Sequence, residues 1–431
     1  MIRKMLFLLI LLPAVLFAQE EKAPKFGITF SGFVKSDFML DSRQTFAARE
    51  GHFMLWPMPV KLDANGEDIN DGYNTNFLPV QSQLSGKITG PDICGAKTSG
   101  VLEGDFFGTT NANTNLLRMR HAFMKLNWIN TELLMGQYWH PLFNTSCFPA
   151  TVSFNTGAPV NPFSRDPQIR VQQRFGNLRL SIAAVEQRDY PSYGPAGGSS
   201  SYLRNAAIPE LYGELSYKAA LGEAGDNLQC GLLFGTKTLV PRLESKVGNQ
   251  VFKVDESVQS IAASGFIALK TRPVTIKLTG IYGENLSDVL SITGYAVTGM
   301  IDTITGKLSY APTASRIVWA DIHTNGSIWQ FGVFAGINQA TGTTEEMNDP
   351  QAPIYGLTHA NNAEITSIVR ISPRVVYNQG KMRFAVEAEC TTATYGLANQ
   401  AGIIPRDLKG LPLDTEKVSN LRILLAAYYF F

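Results

Sequence analysis

From Phe26 to Asp41 apolar and polar side chains alternate. Phe26, Ile28, Phe30, Val34, Phe38 and Leu40 share one parity, and Thr29, Ser31, Lys35, Asp37 and Asp41 hold the other. Period two marks a strand with one apolar face. The separation runs about 15 residues, against roughly five or six in a globular strand, and is long enough to cross a bilayer at a tilt.

The pattern recurs to the end of the chain. Leu84 and Ile88 alternate with Ser85 and Lys87, and Leu102 and Phe106 with Glu103 and Asp105. Leu117 and Met119 interleave with Arg118 and Arg120; the parity then slips near Ala122, so that Met124, Leu126 and Trp128 face outward. Further segments follow around Leu133–Trp139, Ile169, Leu180, Leu215, Leu232, Ile267, Leu278, Trp319, Phe331, Val369, Val386 and Ile423. The expectation is about sixteen strands. Short links at 129–131, 175–177, 271–273, 324–327 and 378–380 alternate with long polar ones at about 42–81, 140–166, 189–207, 241–255, 284–312, 339–362 and 394–417. Tight turns at one end and long loops at the other describe an all-β transmembrane antiparallel barrel of the outer-membrane type. Only helices and closed barrels satisfy every backbone group in lipid. Pro373 falls inside a strand of a sheet without edges, where a missing N–H predicts a bulge.

Both ends of the chain agree. Arg3 and Lys4 precede an apolar run from Met5 to Phe17, and Ala18 is a small residue at a cleavage point, so 1–18 reads as a secretory signal peptide. The mature domain is then 19–431, a single barrel. Its final strand places Leu421, Ile423, Leu425, Ala427, Tyr429 and Phe431 on one parity, and a terminal aromatic is similar to the signal read by the bacterial barrel-insertion machinery. Localisation in the outer membrane of a Gram-negative bacterium follows. Composition fits once lipid is the solvent: charged residues are 17% and aromatics 10% of 431, and the net charge is +1. That charge gives no electrostatic footprint for nucleic acid. No apolar run after residue 18 is long enough for a membrane helix.

Candidate chemistry is sparse. Cys94 in a turn and Cys147 in an outer loop lie on opposite sides of the membrane, and Cys230 and Cys390 sit at lipid-facing parity on distant strands, so no disulfide is expected. His52, His121, His140, His323 and His359 show no metal-ligand spacing. Neither a nucleophile elbow nor a phosphate loop occurs. The expectation is a non-enzymatic protein without cofactor or metal.

Inward parity carries the channel-lining candidates. The basic ones are Arg118, Arg120, Arg170, Arg174, Arg179, Arg370, Arg374, Arg383 and Arg422; the acidic ones are Glu103, Asp105, Glu210, Glu214, Glu387 and Glu389. They either pair across neighbouring strands or form a basic ladder, because arginine stays charged and forks onto carboxylates. The loop 140–166 holds Phe143, Phe154 and Phe163 among Pro141, Pro149, Pro159 and Pro162. It is too apolar to stand in water, so it is expected to fold inward as a constriction or to pack at a subunit interface.

Several blocks resemble one family. Arg118-Met-Arg-His-Ala-Phe, Gly136-Gln-Tyr-Trp139 and Arg165-Asp-Pro-Gln-Ile-Arg170 look like the central part of DcaP-like porins. Arg370-Ile-Ser-Pro-Arg374, Tyr377-Asn-Gln-Gly380, Lys381 and Thr394-Tyr-Gly396 look like that family's late strands. The resemblance covers roughly 110 to 431 and leaves the loop 42–81 unmatched. It implies a homotrimeric barrel, set in outer-membrane lipid, that passes small anions such as dicarboxylates by passive diffusion. Arg118, Arg120, Arg170, Arg370 and Arg374 fall inside the matching blocks. The coiled-coil segment that family members often carry has no counterpart between Ala18 and the first strand. A different class of function, a barrel that only anchors partner-binding loops, also fits the alternation.

Overall fold

A computed structural model describes residues 26–222 and 225–431; the expected signal peptide lies outside them. Among the described residues, sixteen antiparallel strands close into a barrel. They are β1 (Gly27–Asp41), β2 (74–89, with an interruption), β3 (Lys97–Asp105), β4 (Arg118–Asn127), β5 (Thr131–Trp139), β6 (Arg165–Phe175), β7 (Leu178–Val185) and β8 (Glu210–Ala220). Then come β9 (Asn227–Leu239), β10 (Val258–Lys270), β11 (Val274–Glu284), β12 (Lys307–Thr324), β13 (Trp329–Thr343), β14 (Ile365–Gln379), β15 (Met382–Gly396) and β16 (Thr415–Phe430). β1 closes on β16 from Phe33↔Phe430 to Asp41↔Arg422. At this seam Arg422 forks onto Asp41, with Nε–Oδ1 2.9 Å and Nη2–Oδ2 2.6 Å, so the two ends of the barrel domain are tied by side chains as well as by the ladder.

The alternation becomes two surfaces. Phe30, Leu102, Met119, Met124, Ile182, Leu232, Phe234, Ile267, Phe331 and Leu425 stand exposed on the outside, while Arg118, Asp105, Arg370, Glu387 and Arg422 are buried on the inside. An apolar belt of this kind is the lipid face of a barrel. Trp329, Phe331, Tyr377 and Phe431 gather at the short-turn end, where aromatic girdles meet the interface.

Two irregularities shape the inner wall. The register between β3 and β4 shifts between Glu103 and Gly104, opposite His121 and Met119. The extra residue turns Arg120 and His121 both inward, which is the slip expected near Ala122. The bulge expected at Pro373 is not there: the register against β13 and β15 is the same on both sides of Pro373. The ladder to β15 simply lacks pairs at Ser372 and Pro373, so a missing donor costs contacts on one side without an added residue. A true bulge sits at another proline. In β2 the residues 79–82 face only 34–36 of β1, and Ser82 fills the gap by accepting the Lys35 N–H at 3.0 Å and donating to Pro79 O.

The link 42–81 ends earlier than expected because β2 begins at Asn74. Its body is a hairpin, Thr45–Ala48 with Phe53–Pro57, whose Phe53, Met54, Leu55 and Trp56 are fully buried. The segment 284–312 is also more ordered than a loop: Gly294–Asp302 pairs with the start of β12 and extends the wall outward. All four cysteines are free.

Candidate functional site

The inside of the barrel has two kinds of wall. From β14 round through β1 to β6 the inward positions carry paired charges such as Arg370, Glu387, Arg422 and Asp105, set among aliphatic side chains such as Ile368, Met39 and Leu424. From β9 to β13 they include Leu233, Phe266, Ile281, Ile317, Trp319 and Phe334, all nearly inaccessible to solvent. An apolar inner wall is stable only if something apolar covers it. The cover is the loop 140–164 together with the hairpin at 45–57 and the segment 285–293: Leu142, Phe143, Phe154, Phe163, Phe53 and Leu290 join the wall residues in one hydrophobic cluster.

Each expected aromatic of the loop finds a ring. Phe143 stacks on Trp139 at 3.9 Å, Phe154 on Phe107 at 4.0 Å, and Phe163 meets Phe53 at 5.3 Å. Backbone and side chains of the loop are bonded to strands far from β5 and β6. Lys35 donates to Val152 O at 3.0 Å, Asn338 to Pro159 O at 2.8 Å, and the Asn155 amide to Glu389 at 3.0 Å. Glu387 accepts the Val152 N–H. The Cys147 thiol lies 3.4 Å from Thr279 Oγ1, and burial pushes its pKa up.

Against this frame the arginines fall into three groups. Arg118 forks onto Asp105 (Nε–Oδ1 2.8 Å), and Arg120 bridges Glu103 at 2.9 Å and Asp105 at 2.8 Å. Both face the Phe154 ring, and Arg118 also faces Phe107. The second group is looser. Arg170 donates to Trp139 O at 2.9 Å, Arg179 pairs with Glu214 at 3.0 Å, and Arg174 is exposed. Arg174, Arg179 and Lys218 line a polar cavity of about 370 Å³ at the short-turn end.

The third group holds the loops. Arg370 is fully buried; its guanidinium donates to Leu55 O at 2.8 Å, Thr391 Oγ1 at 2.9 Å and Ala158 O, with Glu389 at 3.3 Å. It therefore faces the backbones of two inward segments, not solvent. Arg422 behaves likewise toward His52 O and Gly51 O. Arg374 is neutralised by Asp321 at 2.9 Å, and Arg383 donates to Asn378 at 2.8 Å.

Other groupings are made by the fold and not by any spacing in the sequence. His140, Glu210 and Asp288 come from three separate elements, yet their ligand atoms lie within 4.8 Å of one another. The Lys237 ammonium sits on Asp288, so the cation that this donor set calls for is supplied by the protein. Burial holds the Asp288 carboxyl up to about 6 against the pull of Lys237. Arg49, Arg165 and Asp189 also enter the lumen. Arg165 stands at the head of a block that resembles the porin family, but Arg49 lies in the unmatched loop 42–81 and Asp189 in the loop after β7.

No protein-family model and no curated protein matches the chain. Solved structures do. The outer membrane channel DcaP of Acinetobacter baumannii superposes with a TM-score of 0.67 at 16% identity, covering 96% of this chain and all of the other. OmpT of Vibrio cholerae in its trimer form gives 0.52 at 10% identity over 94% and 99% of the two chains. An anion-selective porin from Comamonas acidovorans gives 0.50 at 12% identity over 94% and 100%. The likeness is one of fold: the chain has the sixteen-stranded architecture of outer-membrane porins, and DcaP shares it over nearly the whole length.

Proposed function

We propose that the protein is a non-enzymatic outer-membrane diffusion channel for small hydrophilic solutes, with a preference for anions. The single observation that carries this is the inward-bonded loop 140–164: Arg370 of the opposite wall holds its backbone, and its Phe154 lies against the guanidinium groups of Arg118 and Arg120. A solute would enter between the long loops, pass the guanidinium groups and leave by the basic vestibule of Arg174, Arg179 and Lys218. Arginine favours carboxylates there because its fork matches their geometry and its charge persists at any working pH. Dicarboxylates are the class that the family resemblance suggests. The reading extends to export by residues 1–18, insertion through the terminal Phe431 and assembly as a homotrimer. Support for assembly comes from the trimer form of one structural neighbour.

Liposome swelling tests this directly. Vesicles carrying the refolded chain should swell faster in isosmotic succinate than in a cationic solute of the same size. Equal and negligible rates in both would overturn the channel. A second reading has its own observation: the aromatic cluster and the buried arginines fill much of the barrel interior, as in a barrel that anchors outer loops. That reading predicts no swelling.

A further inference from the structure

At the mouth-side edge of the constriction four guanidinium groups meet three carboxylates. Arg118 and Arg120 share Asp105 and Glu103. Arg165, on β6, is 1% exposed and holds Asp189 alone, with Nε and Nη2 at 3.0 and 2.9 Å from Oδ2. Arg118 reaches the same carboxylate at 3.9 Å. The Arg49 guanidinium comes in from the hairpin and bonds only Gly108 O, at 3.2 Å, among the described residues. Arg49 and Arg118 both face the ring of Phe107, at 5.7 and 4.8 Å. One positive charge is therefore left without a partner.

Donors are left over too. Nη1 of Arg165 and the hydroxyl of Tyr190 are buried with no hydrogen-bond partner. The Tyr190 hydroxyl stands in the combined field of Asp189, Arg118, Arg165 and Arg49. Buried donors without acceptors are costly, and a cluster of them around surplus positive charge calls for a carboxylate or a similar oxyanion. Part of that call is already met from within. Asp189 lies on the loop after β7, pinned at its base by the Arg188 N–H to Asp166 Oδ1 bond of 2.8 Å, and its side chain remains 16% exposed.

We propose that Arg49, Arg118, Arg165 and Tyr190 form a subsite for the carboxylate of a passing solute, and that Asp189 is its built-in competitor. An incoming carboxylate takes the Arg165 fork and the unpartnered donors of Arg49 and Tyr190, and Asp189 swings toward the solvent it already touches. Because Asp189 gives the guanidinium groups a partner between solutes, the site holds each carboxylate weakly. Weak holding is what a conducting site needs: favourable enough to enter, loose enough to leave. The inference rests on the anion reading above.

The test is titration calorimetry of the detergent-solubilised full chain with sodium propionate at constant ionic strength. Asp189→Asn removes the competitor and should tighten propionate binding at least fivefold. Tyr190→Phe removes one donor and should weaken it at least threefold. Thermal melts check that both variants remain folded. Unchanged or weaker binding in Asp189→Asn, an unaffected Tyr190→Phe, or no binding in either protein would overturn the proposal. Failure of the anion reading shows elsewhere, as a cation-side reversal potential of the unaltered channel, so the two outcomes are separable.

Discussion

Arg370→Ala should open the lumen. Arg370 binds the hairpin and the loop at once: Leu55 O of the hairpin and Ala158 O of the loop accept from the same guanidinium, whose charge is balanced by Glu389. Removing one partner of a buried ion pair costs about 3–5 kcal/mol. Glu389 keeps the Asn155 amide, which points to the lower end of that range. About 3 kcal/mol lost from the docked loop shifts its docked-to-undocked ratio roughly 100-fold. Cys147 reports the shift, because its thiol is 1% exposed and burial raises its pKa, so it is protected from alkylation while the loop is docked. In a background with Cys94, Cys230 and Cys390 changed to Ser, maleimide labelling of Cys147 should accelerate by one to two orders of magnitude in Arg370→Ala. Single-channel conductance should rise with it. A folded Arg370→Ala protein with unchanged labelling and unchanged conductance would refute the assignment of Arg370 as a loop anchor.

Further outcomes follow from the same contacts. Replacing Arg118 and Arg120 together by Ala leaves Glu103 and Asp105 unpaired, so the reversal potential in a salt gradient should move toward cation selectivity; an unchanged potential would confine these arginines to wall pairing. Gly136→Ala should destabilise the barrel by about 2 kcal/mol or more, because Gly136 has φ +128° and a Cβ there would meet Ala122 O at 2.2 Å; heat-modifiability on gels reads this. Burial raises the Asp288 carboxyl from 3.8 to about 6, so the folded protein binds the extra proton. The stability it contributes is present at low pH and is lost as pH rises through about 6. Thermal stability of the unaltered chain should therefore fall between pH 5 and pH 7 by more than that of Asp288→Asn, and parallel profiles would exclude this group.

The barrel was legible in the sequence because period two survives in nearly every strand, and even the slip near Ala122 marked a real bulge. The inward arginines were legible for the same reason. What they touch was not. Parity tells which side of the wall a residue faces, but it carries no information on what lies inside the barrel. Arg370 and Arg118 look alike in the pattern, yet one clasps backbone carbonyls and the other pairs with Asp105. Apolar inward positions such as Phe266, Ile317 and Phe334 broke the simple rule that apolar means lipid, because the interior supplies its own apolar surface in Phe143, Val160 and Leu290. Pro373 misled because a proline can sit in register when only one neighbour loses a bond, whereas Pro79 needed the extra residue.

A water-filled path with surplus positive charge passes anions faster than cations. Planar-bilayer recording across a potassium chloride gradient tests it most directly. Discrete unitary currents are expected, with a reversal potential on the chloride side. A membrane that stays silent, despite folded and inserted protein, would contradict the channel itself, and a potential on the potassium side would contradict its charge preference.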